Sequence, residues 1–249
     1  MFLILMLLGL GQNWLWQAGS GQEKTMYKVK RVSYNEDRDS EKNFVYNPNG
    51  DLIYFINGAD SVKYIHYPDS LIQLNLHPDK YWEYKTCYLL DADRRALDAL
   101  TYDNQGQMVR EENFTYDEGG RLSYFYRYYY VSNEVTQYHF RYEGDSLMKI
   151  NTMLPDGSEG NSFEFRYHSK VPNNFQPTPL GSWWEASPPD LLGLPPKYMP
   201  QTIICQSPQG DTLSFLEYRY HSMVNPKQLW VVETDRLNSF SNEIRLFGE

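Results

Sequence analysis

The feature that most constrains this chain is a turn spacing that recurs along it: a strand-ending residue, often Tyr, is followed four positions later by Gly. The spacing occurs from Tyr46 to Gly50, Tyr102 to Gly106, Tyr116 to Gly120, Met153 to Gly157 and Gln206 to Gly210. In two copies Asp follows the Tyr directly, as Asp103 and Asp117. Asp at the first position of a type I turn can accept a hydrogen bond from the backbone two residues on. Gly at the last position takes positive φ and closes the hairpin with a bulge. Side chains in the flanks alternate, so Phe114 and Tyr116 fall on one face and Thr115 and Asp117 on the other. The spacing therefore predicts an all-β fold: a large antiparallel β-meander of many hairpins, arranged as a curled single sheet or an open sandwich. The 22 Tyr and 12 Phe agree with this, because aromatic side chains favour a half-buried pleated surface.

Tyr116-Asp117-Glu118-Gly119-Gly120-Arg121-Leu122 resembles the YD-repeat pattern of RHS-type proteins, and Tyr102-Asp103-Asn104-Gln105-Gly106-Gln107-Met108 is a looser copy. Tyr46-Asn47-Pro48-Asn49-Gly50-Asp51-Leu52 and Tyr142-Glu143-Gly144-Asp145 are degenerate copies. With its single Pro-rich insertion, the chain after residue 25 is similar to a bacterial cell-envelope family of unknown function, often lipoproteins, built from diverged YD-like strands. That resemblance implies an envelope protein and carries no catalytic residues to transfer.

Residues 1–20 hold no charge and begin with the apolar run FLILMLLGLG, the length of a signal-peptide core and too short for a spanning helix. Ala18-Gly19-Ser20 supplies the small residues a signal peptidase prefers. The expected organisation is a signal peptide at 1–20 and a single YD-like domain at 21–249, exported, with no membrane span in the mature chain. The segment has no Cys, so lipid anchoring is not expected. A net charge of −9 argues against nucleic acid and against docking on an anionic membrane surface, since both need a basic footprint. The acidity itself reads as solubility.

Several constellations invite a functional reading. Phe163 to Ser169, FEFRYHS, echoes Leu216 to Ser222, LEYRYHS, and places Glu164, Arg166 and His168 on one strand face and Glu217, Arg219 and His221 on another. These sets describe either a site or an ordinary cross-strand charge ladder on a wet face. Residues 171–200 break the strand rhythm with eight of the 14 prolines. Proline is excluded from most ladder positions, so a long Pro-rich loop is expected. Its Leu191, Leu192 and Leu194 suit a cover over a sheet edge, whereas Trp183, Trp184 and Tyr198 suit a stacking platform for a ligand. Asp91 and Asp93 are two residues apart in a turn, a spacing that serves capping before acid/base work. In an exported chain Cys87 and Cys205 are permitted to form a disulfide, and as buried thiols they are equally at home free. Asp60-Ser61-Val62, Asp69-Ser70-Leu71, Asp145-Ser146-Leu147 and Asp211-Thr212-Leu213 resemble an Asp-Ser/Thr-aliphatic O-glycosylation acceptor, a pattern that turn-to-strand junctions also produce.

The sequence has no nucleophile, phosphate or metal motif and implies no cofactor and no metal. The leading expectation is an exported non-enzymatic structural or binding module of the cell envelope with a glycan or an envelope protein as partner. The alternative is a glycan-active hydrolase whose carboxylates, such as Glu164, Glu217 and Asp145, converge only in the fold.

Overall fold

The computed structural model describes residues 27–34, 37–58, 60–77, 80–144, 146–173, 175–176, 197–222, 227–237 and 239–248. The expected signal peptide, Trp183, Trp184 and Asp145 lie outside them. Of the expected Pro-rich insertion, residues 171–172 continue a strand and residues 198–200 begin one. Seventeen strands follow in chain order: β1 (Tyr27–Tyr34), β2 (Asp37–Tyr46), β3 (Leu52–Asn57), β4 (Asp60–His66), β5 (Ser70–His77), β6 (Lys80–Leu90), β7 (Ala96–Asp103), β8 (Met108–Tyr116), β9 (Leu122–Tyr129), β10 (Glu134–Glu143), β11 (Ser146–Met153), β12 (Glu159–Pro172), β13 (Phe175–Gln176), β14 (Tyr198–Gln206), β15 (Thr212–Ser222), β16 (Gln228–Asp235) and β17 (Phe240–Gly248).

Each strand pairs antiparallel with the next, except that β12 reaches past the two-residue β13 to pair with β14. The ring then closes: β1 pairs with β2 on one side and with β17 on the other, through Val29↔Gly248, Val32↔Leu246 and Ser33↔Arg245. All strands but β13 form one closed ring of sixteen. The expectation of a curled sheet or open sandwich is thus corrected. An open meander would leave the backbone groups of β1 and β17 unpaired at two edges, and pairing them with each other removes both.

Closure gives the alternation two unequal faces. Among the described residues, twenty-one apolar side chains, including Val29, Phe44, Leu71, Tyr88, Ile150, Phe165, Tyr218 and Leu246, are 0–8% exposed and form one core cluster. Register pairs place them on one face: Phe44 opposes Phe55, Phe114 opposes Phe125, and Ile150 opposes Phe163. Such exposures are reached on the inside of a ring, so this face is the lumen, and the lumen holds a core. Full burial of side chains of this size stabilises by about 1.5–3 kcal/mol each.

The turn motif does more than reverse the chain. The Tyr46 hydroxyl donates to the Val29 carbonyl at 2.8 Å, Tyr116 to Ala96 at 2.8 Å, Tyr142 to Leu122 at 3.0 Å, and Tyr220 to Pro200. In each case the tyrosine near the end of one strand ties down the start of the preceding one, on the same rim. His66 Nε2 reaches the Leu52 carbonyl in the same manner at 2.7 Å. Within the turns, Asp117 accepts from Arg121 N and Nε at 2.9 and 2.8 Å, and Asp91 accepts from Arg95 N and Nε at 2.8 Å each. Arg95 then lies over the Tyr116 ring at 4.7 Å, and Arg121 over the Tyr142 ring at 4.8 Å. Each clamp thereby grips the tyrosine of the next hairpin along. Slight burial opposes ionisation of Asp91 and Asp117, but the hydrogen bonds and charge of Arg95 and Arg121 outweigh it and hold both carboxyls below the usual range.

Candidate functional site on the barrel wall

Two places in the barrel carry polar chemistry: an inner layer in the lumen and the outer wall. In the lumen, Gln73, Thr86, Thr101 and Arg110 are successive register partners across β5 to β8, beside Tyr88 and Glu112. Tyr88 donates to Gln73 at 3.1 Å, and the Thr86 and Thr101 hydroxyls bond at 2.9 Å. Glu112, 2% exposed, accepts from Arg127 Nε at 2.6 Å and has Arg110 Nε at 3.4 Å. Two arginines thus flank one buried carboxylate, and the cluster carries a net positive charge. The hydrogen bonds of the layer are internal, and Arg110 Nε is the member left without one.

The outer wall has the opposite character. Residues alternating with the lumen side chains include Arg31, Glu41, Lys63, Lys85, Asp98, Glu111, Arg141, Lys149, Glu164, Glu217 and Glu243. Charge is therefore distributed around the ring on the face that a membrane barrel turns to lipid. Among the described residues no helix is long and apolar enough to cross a membrane, which says nothing of a barrel.

Glu164 and Arg166 of the first repeated set and Glu217, Arg219 and His221 of the second fall on this outer wall, whereas His168 lies beyond the regular register of β12. Glu164 and Arg166 oppose Ile204 and Thr202 of β14, and Thr202 in turn opposes Glu217 of β15. One strand therefore separates the two sets, and Ile204 and Thr202 stand between them. Their side chains turn to local partners. Glu164 lies 3.8 Å from Lys149, Glu217 accepts from Arg219 at 3.1 Å and from Arg236 Nε at 2.6 Å, and the His221 ring sits 4.6 Å from Trp230. The Arg236 and Arg219 hydrogen bonds hold the Glu217 carboxyl below its usual range. His168 meets the ring of Tyr220 edge-on at 6.3 Å. Tyr198 is half-buried at the start of β14, with the Lys197 ammonium 5.6 Å from its ring centre.

The Cys87–Cys205 bridge is not made: both thiols are free. Cys87 faces outward between Ile72 and Leu100, whereas Cys205 faces the lumen beside Phe163. They stand on opposite faces of the wall and on well-separated strands of the ring. Burial pushes the Cys205 thiol up. Asp91 and Asp93 both lie against Arg95, at 2.7 and 3.2 Å, as turn groups.

Sequence reasoning missed a recess on the wall where β11, β12 and β14 meet. It has a volume of about 180 Å³ and is lined by Lys149, Asn151, Glu159, Gly160, Ser162, Gln206, Ser207, Pro208 and Gly210. A register shift between Asn151 and Met153 forms it, with Gly160 opposite. A Cβ on Gly160 would lie 2.4 Å from Thr152 Oγ1, so the bulge requires glycine. The glycine was the one available signal in the sequence.

No family model matches the sequence, and no curated protein matches it. Among solved structures the chain is similar to a porin-like protein from Bacteroides uniformis, with a TM-score of 0.63 and 14% identity, over 91% of this chain and 100% of that one. At that identity the likeness is one of fold, and the fold shared is a porin-like barrel. The resemblance to YD-repeat proteins is overturned by the same findings: the strands close into a barrel, and no family model, YD-repeat or other, matches.

Proposed function

We infer that this chain is an exported barrel of the cell envelope that works in water as a binding module, engaging a glycan or an envelope protein through its wall. The observation that carries this reading is the charge on the outer wall. In a membrane barrel the outward band is apolar, and each Arg or Lys placed at the bilayer midplane costs about 2–4 kcal/mol. Here Arg31, Lys63, Lys85, Arg141 and Lys149 alternate with core residues on their strands. The core in the lumen supports the same reading, because a sixteen-stranded porin conducts through a water-filled lumen. The porin-like fold supports an envelope location, and the net charge of −9 speaks against nucleic acid as partner.

Glu164 and Glu217 lend no weight to the hydrolase alternative, since each is held by its own cation and β14 runs between them. The reading is tested by adding the purified full chain to planar bilayers and to lipid vesicles. It predicts no unitary conductance and a wall that stays accessible to protease in the presence of vesicles. Discrete conductance steps, or protection of the strands by vesicles, would overturn it.

A further inference from the structure

The outward side chains at one level of the wall are Thr115, Tyr124, His139, Asn151, Ser162 and Gln206, register partners on six consecutive strands of the ring, β8 to β12 and β14. At about 4.8 Å between strands, the row runs roughly 24 Å. None of the six is an acid, a lysine or an arginine, although charged residues make up 22% of the chain. Of the neighbouring levels, Asn113, Tyr126, Gln137 and Met153 form one, which runs out into Asp98 and Glu159, and Arg141, Lys149 and Glu164 form the other. One end of the row opens into the recess, where Lys149 and Glu159 flank three uncharged side chains of the row, Asn151, Ser162 and Gln206. Those three side chains make no hydrogen bond among the described residues, so their amides and hydroxyl are available to a ligand. Toward the other end Tyr124 meets His139 at a tilt of 58°, their ring centres 5.0 Å apart, and heads an outward column of Tyr124, Tyr126 and Tyr128 on β9.

We propose that this row is a binding site for a neutral oligosaccharide, with Tyr124 as the stacking platform and Asn151, Ser162 and Gln206 as the hydroxyl-reading end. Amide and hydroxyl groups both donate and accept, which matches sugar hydroxyls in either role. The aromatic faces match the apolar C–H face of a pyranose ring, as amphipathic aromatic side chains do at wet interfaces. A polyanionic glycan would meet the acidic field of the whole chain, and the Arg141–Lys149 pair beside the row is matched by Glu164 and Glu159. The proposal rests on the reading of a water-facing wall, and names the place and the ligand class.

The test is isothermal titration of the purified full chain with neutral hexasaccharides of β-1,4-glucose, β-1,4-mannose, β-1,4-xylose and α-1,4-glucose at millimolar concentration. The expected result is binding of at least one, weakened about tenfold or more by Tyr124→Ala and by Gln206→Ala. Ser162→Asp, a surface change that leaves the core untouched, weakens it similarly, while Glu243→Gln on β17 leaves it unchanged. Absence of binding by all four, or binding indifferent to the three wall variants, would overturn the proposal. Protection of the wall by vesicles would instead overturn the water-facing reading on which it rests, so the two failures are distinguishable.

Discussion

Tyr116 shows how one side chain serves both a turn and a ring. Its hydroxyl holds the Ala96 carbonyl and its face receives Arg95, so the residue joins its own hairpin to the one before. Tyr116→Phe removes only the hydrogen bond and should lower stability by about 1 kcal/mol. Thermal unfolding would show this as a fall of about 2–4 °C, and no change would mean that the brace contributes nothing. Glu112 is the more sensitive residue. Glu112→Gln leaves Arg110 and Arg127 facing each other in the lumen and should cost about 3 kcal/mol, the lower end for a broken buried pair because both guanidiniums keep some solvent contact. The triple change Glu112→Leu, Arg110→Met and Arg127→Met removes all three charges and should recover much of that loss in denaturant unfolding. The clamped aspartates give a pH dependence of known sign. Because Asp91 and Asp117 sit below their ordinary 3.8 when folded, their contribution is complete above about pH 4–5 and is lost as the pH falls through the folded value. Asp117→Asn should therefore flatten the acid side of the stability profile.

At the scale of the hairpin, the two best copies of the turn provide an internal comparison. Gly120 and Gly106 have nearly the same φ, 76° and 81°, so Ala carries a similar conformational cost of about 1 kcal/mol at either. A Cβ on Gly106 meets nothing within 4 Å, whereas one on Gly120 would lie 2.7 Å from Arg95 Nη1. Gly120→Ala should therefore destabilise more than Gly106→Ala in urea unfolding, and the difference measures the Arg95 contact along the rim. This scale was the most legible in the sequence. The Tyr-Asp-x-x-Gly spacing marked the turns at Asp103 and Asp117, and the alternation from Phe114 to Tyr116 divided the two faces as the register does, with Asp117 already in the turn. Its limit was that the same turn chemistry serves any antiparallel hairpin, so it led to a repeat family whose fold this chain does not share. The bulge at Gly160 went unread because a glycine inside a strand has several uses, and only the approach of Thr152 Oγ1 distinguishes this one.

For the whole molecule, closure was not legible because it depends on a pairing nearly the full chain apart. Val29 meets Gly248 and Val32 meets Leu246, and nothing local to either strand announces the other. Closure also reassigns meaning: a face that would be one side of an open sheet becomes a lumen, and the Glu/Arg/His sets, His168 apart, become parts of an outer wall. Charged side chains spread over a wall that also carries the outward Ile65, Ile72, Leu74 and Leu100, together with a core-filled lumen, support the proposed barrel in water. The most direct test places single cysteines at Glu111, Glu164 and Glu243 in a chain carrying Cys87→Ser and Cys205→Ser, and reacts each with a charged, membrane-impermeant maleimide with and without lipid vesicles. Complete and equal labelling at all three positions in both conditions is the predicted result. Protection of all three by vesicles would mean that the wall sits in lipid, and would contradict the account.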